Sequence, residues 1–284
     1  MTRRFAVFIL SHGRADKVLT VKALRKVGYS GEVYIICDDE DAQLDAYKEA
    51  YGDKVCVFNK QQWLDESDTC DNLSSPRGVV LPARNYTFQL AKQLDLDAFL
   101  VLDDDYPHIG VKYSTDGVLH EKLKYTNFDQ ICDDYIELLH ANENILTVCF
   151  AQSGDFIGGT SGSYYKRAWS YKAMNSFFCL TSRPFKFLGR LNEDLCAAVA
   201  HERAGKLFLT VGTISVQQLD TQQNSGGLTE SYLEQGTYQK SFYSVIVCPS
   251  AVKISAFGDP HLRIHHEVNW GRAAPRILSS KWKK

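Results

Sequence analysis

Three consecutive carboxylates, Asp103, Asp104 and Asp105, follow directly on the apolar run Phe99-Leu100-Val101-Leu102. Such a run makes a short strand that can be buried, but burying unpaired carboxylates with it would cost several kcal/mol. The acids must therefore stand at the strand's exit, where water, a cation or a cationic side chain can compensate them. Mg2+ and Mn2+ take carboxylate oxygens and keep positions open for phosphates, so a strand ending in Asp-x-Asp suits metal-dependent work on a nucleotide-sugar. A solvated turn would explain the acids taken alone, and the surrounding chain weighs against it.

The first apolar run, Phe5 to Leu10, ends in Ser11-His12-Gly13-Arg14, with Ser11, His12 and Arg14 set where a nucleotide base and diphosphate rest on a first βα turn. The second ends in Asp38-Asp39. One of these can accept hydrogen bonds from ribose hydroxyls or the uracil imide while the other caps the helix that follows. Ala83-Arg84-Asn85 opens the helix before the acidic strand. Arg84 suits a phosphate or the acids themselves, and a cation at a helix start opposes the dipole, which favours a functional reading. Asn85 offers an amide to a sugar hydroxyl.

Glu193 and Asp194 fall at another helix start, which welcomes carboxylates for structural reasons; either is equally placed to take the proton of an acceptor hydroxyl. Near the C-terminus, Arg263-Ile264-His265-His266-Glu267 offers imidazole to a metal. Neighbours on an extended chain point to opposite sides, so at most one of His265 and His266 would ligate.

These residues need a frame, and hydrophobic periodicity supplies one. Phe5 to Leu10, Glu32 to Cys37, Lys54 to Phe58 and Phe99 to Leu102 read as strands, with helices expected over Ala15 to Val27, Glu40 to Tyr51 and Pro82 to Leu94. Strand and helix alternate, so residues 1–105 are expected to form a doubly wound, mostly parallel sheet that binds ligands beyond the carboxyl ends of its strands. Residues 106–284 are less regular: a hairpin around Thr115-Asp116-Gly117, a helix over Phe128 to His140, a strand over Ile145 to Ala151, a loop over Ser153 to Gly162, a helix over Asn192 to Ala204, a strand over Leu207 to Val216 and a helix within Leu228 to Val247. The whole reads as one domain.

The 284 residues, 44% hydrophobic and 23% charged, are ordinary globular composition. No stretch approaches the roughly 20 apolar residues of a membrane span, and Met1-Thr2-Arg3-Arg4 runs straight into a strand, so a cytoplasmic protein without a membrane partner is expected. The eight cysteines show no CxxC pair and suit reduced, buried thiols. A net charge of -2 hides an asymmetry. Asp38 to Asp71 is strongly acidic, whereas Phe156 to Asn192 carries Lys166, Arg167, Lys172, Arg183, Lys186 and Arg190 with no acid. Aromatic residues interleave with those cations, and the C-terminal segment with Arg272 and Arg276 is basic too. Nucleic acid is bound by such combinations, although many of the rings must be core.

Strand-exit acids, Ala-Arg-Asn ahead of them, Glu-Asp on a later helix and a C-terminal His together resemble the glycosyltransferases of the GT-A fold, over nearly the whole chain. More narrowly, Phe8-Ile9-Leu10-Ser11-His12-Gly13-Arg14, Pro82-Ala83-Arg84-Asn85 and Leu102-Asp103-Asp104-Asp105-Tyr106 resemble the TET-associated glycosyltransferases of phages. The resemblance implies an α/β fold of GT-A type and transfer of a sugar from a UDP-sugar to the hydroxymethyl group of 5-hydroxymethylcytosine or 5-hydroxymethyluracil in DNA, in the host cell's cytoplasm. Within that reading Asp105 and one of His265 or His266 hold Mn2+ or Mg2+, and Asp103 assists through water or ribose. Asp104 points to the donor sugar, and Ser11 with Asp38 or Asp39 reads the uridine. Arg84 braces the phosphate or the acids, and Asp194 or Glu193 is the base if the reaction inverts the anomeric centre; if it retains configuration, the leaving phosphate oxygen can take the proton and these acids position the acceptor. Lys166, Arg167, Lys172, Arg272 and Arg276 are the expected DNA contacts. A glycosyltransferase for a polysaccharide or protein, a nucleotidyltransferase and a non-catalytic DNA- or glycan-binding module are the alternatives.

Overall fold

A computed structural model describes residues 4–72, 79–167, 169–218, 239–257 and 263–274. Strands β1 (Phe5–Leu10), β2 (Glu32–Asp38), β3 (Val55–Phe58) and β4 (Ala98–Asp103) alternate with helices α1 (Leu19–Lys26), α2 (Leu44–Tyr51), α3 (Lys60–Asp65) and α4 (Leu81–Gln93). β1 lies between β2 and β4 and is parallel to both. Its residues Ala6 to Ile9 are fully buried, as a strand covered by helices on both faces must be. Register pairs Leu10 with Asp103, so the chain leaves both strands at the same height and Ser11 comes level with Asp104. This is the point where strand order reverses, the place at which doubly wound sheets bind ligands.

The sheet continues through β5 (His108–Thr115), β6 (Val118–Lys122), β7 (Ile145–Gln152), β8 (Trp169–Ser170), β9 (Ser176–Leu180) and β10 (Leu207–Gln217), in the order β3-β2-β1-β4-β9-β7-β10-β5-β6 with β8 against β10. It is mixed but mostly parallel: β7 and β10 run in the same sense as β1 to β4, with β9 antiparallel between β4 and β7. Helices α5 (Phe128–Ala141), α6 (Ser163–Arg167), α7 (Glu193–Arg203), α8 (Lys240–Val247) and α9 (Trp270–Ala273) complete the described elements, with a separate hairpin of β11 (Val252–Phe257) and β12 (Arg263–Val268). Within the span 228–247 expected to hold a helix the structure has α8, and residues 228–238 lie outside the described residues. All eight cysteines are unpaired thiols.

Several local readings are corrected by the structure. α1 begins at Leu19, four residues later than expected, because Arg14 to Val18 is held as a turn: Ala15 N–H donates to Gln43 Oε1 and Lys17 N–H to the Arg14 carbonyl. α2 begins at Leu44 because Asp41 Oδ1 accepts the Gln43 N–H at 2.8 Å, an Asx turn that stops the helix reaching back to Glu40. Between Phe58 and Pro82, where no helix is expected above, the chain forms α3, capped by Asn59, whose side chain accepts the Gln62 N–H at 2.7 Å. Asn192, by contrast, makes no side-chain cap. It sits at φ 54, and its amide donates to the Lys240 carbonyl at 2.8 Å instead.

The largest correction is β9. Phe177 and Phe178, among the aromatic residues interleaved with the cations of 156–192, are fully buried inside the sheet; Phe185 and Phe187 are buried too. Ser176-Phe-Phe-Cys-Leu180 is a continuous apolar run of strand length, and burial on both faces outweighs the nearby cations.

Candidate active site

Asp103, Asp104 and Asp105 leave β4 in three directions. The Asp103 Oδ1 lies 3.4 Å from Arg84 Nη2. Asp104, 3% exposed, turns toward the first loop and accepts from Ser11 Oγ at 2.5 Å and Arg14 Nη1 at 3.0 Å. This corrects the expectation that Asp104 points to a donor sugar; it anchors the loop after β1. Asp105 Oδ2 accepts from Gln218 Nε2 at 3.4 Å, while its Oδ1 is buried without a hydrogen-bond partner.

Burial, aided by Asp105, Glu193 and Asp104 and opposed by Arg84, pushes the Asp103 carboxyl up to about 8. Burial and Asp104 push Asp105 up to about 6. Carboxyls so placed resist ionising together until positive charge reaches them. An orphaned Oδ1 beside two crowded acids is a donor set suited to a divalent cation, and Asp105 and Asp103 are the residues able to hold it.

The histidines are placed otherwise. Among the described residues no three His, Cys, Asp or Glu side chains come together as a metal cluster. His265 and His266 do not point apart: their ring centroids are 4.3 Å from each other and His265 Nδ1 lies 2.6 Å from the His266 carbonyl. His266 Nδ1 is 3.2 Å from Asn192 Nδ2, beside the start of α7. Burial, with the charges of His265, Lys240 and Lys172, lowers the His266 imidazole to about 4.

Arg84 is the centre of the site. Its side chain is buried, Nε donates to Glu193 Oε1 at 2.7 Å, and Nη2 reaches Asn175 Oδ1 at 3.4 Å as well as Asp103. The guanidinium lies 4.9 Å from the Phe177 ring centroid and 5.8 Å from that of Phe187. Its positive charge at a helix start is thus explained by acids brought from β4 and α7. Glu193 is 4% exposed and is held by Arg84. Asp194, 6% exposed, accepts the Leu195 N–H on Oδ1 at 2.6 Å, and burial with Glu193 pushes it up to about 6.

Asn85 also changes role. Its Oδ1 accepts the Phe187 N–H at 2.8 Å, and its Nδ2 donates to the Phe187 carbonyl at 3.1 Å and to Ser67 Oγ at 2.9 Å. Both ends of the amide are engaged, so Asn85 fastens α4 to the segment after β9 and does not face a sugar.

On the far side of β1, His12 Nδ1 lies 2.7 Å from Asp38 Oδ2 and 3.6 Å from Asp41. Lys60 Nζ is 3.6 Å from Asp38. Burial opposes ionisation of Asp38, yet His12 and Lys60 hold it below the usual carboxylate range. The Asp38 hydrogen bond, against the opposing effect of burial, raises His12. Asp39 accepts from the Lys60 N–H at 2.9 Å and Asn59 Nδ2 at 2.7 Å, so it holds the start of α3 and Asp38 is the acid turned to the first loop. Ser11 Oγ is 2.6 Å from Tyr47 Oη, which also accepts the Arg14 N–H at 2.9 Å.

Asp41, Tyr47, Asn175 and Gln218 were missed by sequence reasoning. Asp41 Oδ2 accepts the Gly13 N–H at 2.8 Å and so shapes the first loop. Asn175 Nδ2 donates to Gln218 Oε1 at 3.2 Å, linking Arg84 to Asp105. The adjacent Asp38 to Asp41 acids carried a signal for Asp41; Asn175 and Gln218 lie singly in loops and carried none.

The family comparison matches the model described as TET-Associated Glycosyltransferase to residues 5–227. The chain belongs to the TET-associated glycosyltransferase family. It is therefore a glycosyltransferase, and the matched span holds every residue of the Arg84 network but not the β11–β12 hairpin. A search of curated proteins finds no match for this family member. Among solved structures, a mycobacterial protein is similar at 11% identity, covering 94% of this chain and 84% of that one, with a TM-score of 0.49. Glucosyl-3-phosphoglycerate synthase from Mycobacterium tuberculosis, in complex with Mn2+ and uridine-diphosphate-glucose, is similar at 10% identity, covering 94% and 87%, with a TM-score of 0.47.

Of the cations expected to meet DNA, Lys166 and Arg167 are exposed on α6 and Arg272 on α9, while Arg276 lies outside the described residues. Lys172 is different. Its Nζ donates to Asp155 Oδ1 at 2.8 Å, and its charge acts on Asp194 and His266. Among the described residues no helix is long and apolar enough to cross a membrane.

Proposed function

We propose that this glycosyltransferase moves a sugar from a UDP-sugar to the hydroxymethyl group of a 5-hydroxymethylpyrimidine in DNA. The observation that carries the reading is the Asp105–Asp103–Arg84–Glu193 arrangement, with Asp105 Oδ1 buried and unpartnered at the exit of β4. Family membership supports the hydroxymethylpyrimidine acceptor.

His12 and Asp38 face the nucleoside, and the backbone of Ser11 to Arg14, held by Asp41, Tyr47 and Asp104, forms the wall on which the diphosphate rests. Asp105 and Asp103 would hold Mn2+ or Mg2+, which would supply positive charge to the diphosphate. Arg84 keeps Asp103 in place and balances Glu193. Asp194 accepts the proton of the acceptor hydroxyl as that oxygen bonds to the anomeric carbon; the bond from this carbon to the diphosphate breaks and UDP leaves with its electrons. A carboxyl near 6 is ionised at neutral pH and still basic enough to do this.

The test is mass spectrometry of hydroxymethylated DNA after incubation with a panel of UDP-sugars and Mn2+. A pentose or hexose mass gain on the modified base is expected. UDP release without any gain on DNA would overturn the acceptor, and no UDP release with any donor would overturn the donor.

A further inference from the structure

One corner of the molecule gathers exposed apolar side chains: Ile157 is 83% exposed, Val118 55% and Trp169 47%. Single exposed apolar residues are ordinary on any surface. Here the segments that carry them are tied together. Thr160 Oγ1 donates to the Gly117 carbonyl at 2.5 Å, fastening the loop after β7 to the β5–β6 turn, and β8, with Trp169, pairs with β10. The loop is tightly built. Gly158 has φ +91, and a Cβ on Gly162 would come within 2.9 Å of the Ile157 carbonyl, so glycines at these positions set a course that leaves Ile157 projecting. The exposed cations Lys166 and Arg167 follow in α6.

This corner lies toward the edge of the sheet that carries the acids. β7 runs in the same sense as β4, so its following loop leaves the sheet at the edge that carries the acids. Asp155, two residues before Ile157, is bonded to Lys172, whose charge reaches Asp194. Asp194 itself is 6% exposed. A base must come within hydrogen-bond reach of the hydroxyl it deprotonates. A hydroxymethyl group on a stacked, paired base extends only two bonds from the ring and remains in the groove, short of a carboxylate so buried.

We infer that the enzyme draws the acceptor nucleotide out of the duplex toward Asp194, with Ile157 inserted into the stack as an apolar wedge and Lys166 and Arg167 on the flanking phosphates. This rests on the DNA reading above. Apolar side chains inserted between base steps unstack DNA, and extrusion is easiest where the base is mispaired or unpaired.

The experiment compares 5-hydroxymethylcytosine in single strands, opposite guanine and opposite a non-pairing base, for the unaltered enzyme and for Ile157→Ser. Mispairing should raise kcat/KM at least about tenfold over the paired duplex. Ile157→Ser should lower turnover of the paired duplex at least about tenfold more than turnover of single strands, with an unchanged melting temperature because the side chain is exposed. Equal rates on paired and mispaired acceptors, or equal effects of the substitution on duplex and single strand, overturn extrusion and leave the DNA acceptor standing. No mass gain on any of the three DNAs overturns both.

Discussion

Arg84 Nε stands 2.7 Å from Glu193 Oε1, across 109 residues of chain, and both side chains are buried. A buried pair broken from one side leaves an uncompensated charge, so the two residues are far more sensitive to single than to paired replacement. Arg84→Ala is expected to lower unfolding free energy by about 3–5 kcal/mol, measured by urea denaturation. Arg84→Met with Glu193→Gln should recover much of that loss while activity stays low, because Asp103 has lost its partner. Recovery of activity along with stability would show that Arg84 acts only as a scaffold.

Asp105→Ala removes an acid oxygen that is buried without a partner at the exit of β4. Binding of Mn2+, followed by calorimetry in the absence of sugar, should weaken at least about tenfold, and UDP release should fall with it. The fold should persist, since little inside the protein depends on that oxygen. Unchanged Mn2+ affinity would move the cation elsewhere.

Asp194 must be ionised to accept a proton, and its carboxyl sits at about 6. The rate should therefore climb as pH rises through about 6 and level off above it. Asp194→Asn should cut kcat by about a hundred- to ten-thousandfold and abolish that limb. A limb that survives the substitution belongs to another group, Asp105 being the next to test because it lies in the same range.

His12 and Asp38 set each other's ionisation. His12 is raised above 6.5 in the folded protein, so its contribution to stability is complete below 6.5 and is lost as pH rises through the raised value. Asp38 is lowered, so its contribution is present above the ordinary aspartate value and is lost as pH falls through the lowered one. The pair is strongest between those limits. In an NMR titration Asp38→Asn should bring the His12 value down; no movement would show that the two rings of charge are not coupled in solution.

Asn85→Ala leaves the Phe187 N–H and carbonyl without their side-chain partner. Stability should fall by about 1–3 kcal/mol while KM for the donor stays constant. A raised KM with unchanged stability would return Asn85 to the donor site.

The residues at strand ends were legible because apolar runs announce their own termini. Phe5 to Leu10 and Phe99 to Leu102 must be buried, and the polar residues that follow must emerge together at one edge of a parallel sheet. Hence Ser11 to Arg14, Asp38 and Asp103 to Asp105 could be assigned to one site, and a cation to the acids, before any coordinates. Asp105 needs no distant partner to be understood in this way.

Tertiary structure alone decided which member of each adjacent set does what. Asp104 turns to Ser11 and Arg14, while Asp103 meets Arg84, because successive side chains leave a strand exit in different directions and each takes the partner that sheet register brings to it. Glu193 meets the Arg84 Nε while Asp194 accepts the Leu195 N–H for the same reason: the guanidinium arrives from α4 on the side of Glu193. Periodicity reports a residue's burial through its near neighbours, but charge pairing depends on contacts a hundred residues apart, and those exist only once β9 has brought Phe177 beneath Arg84.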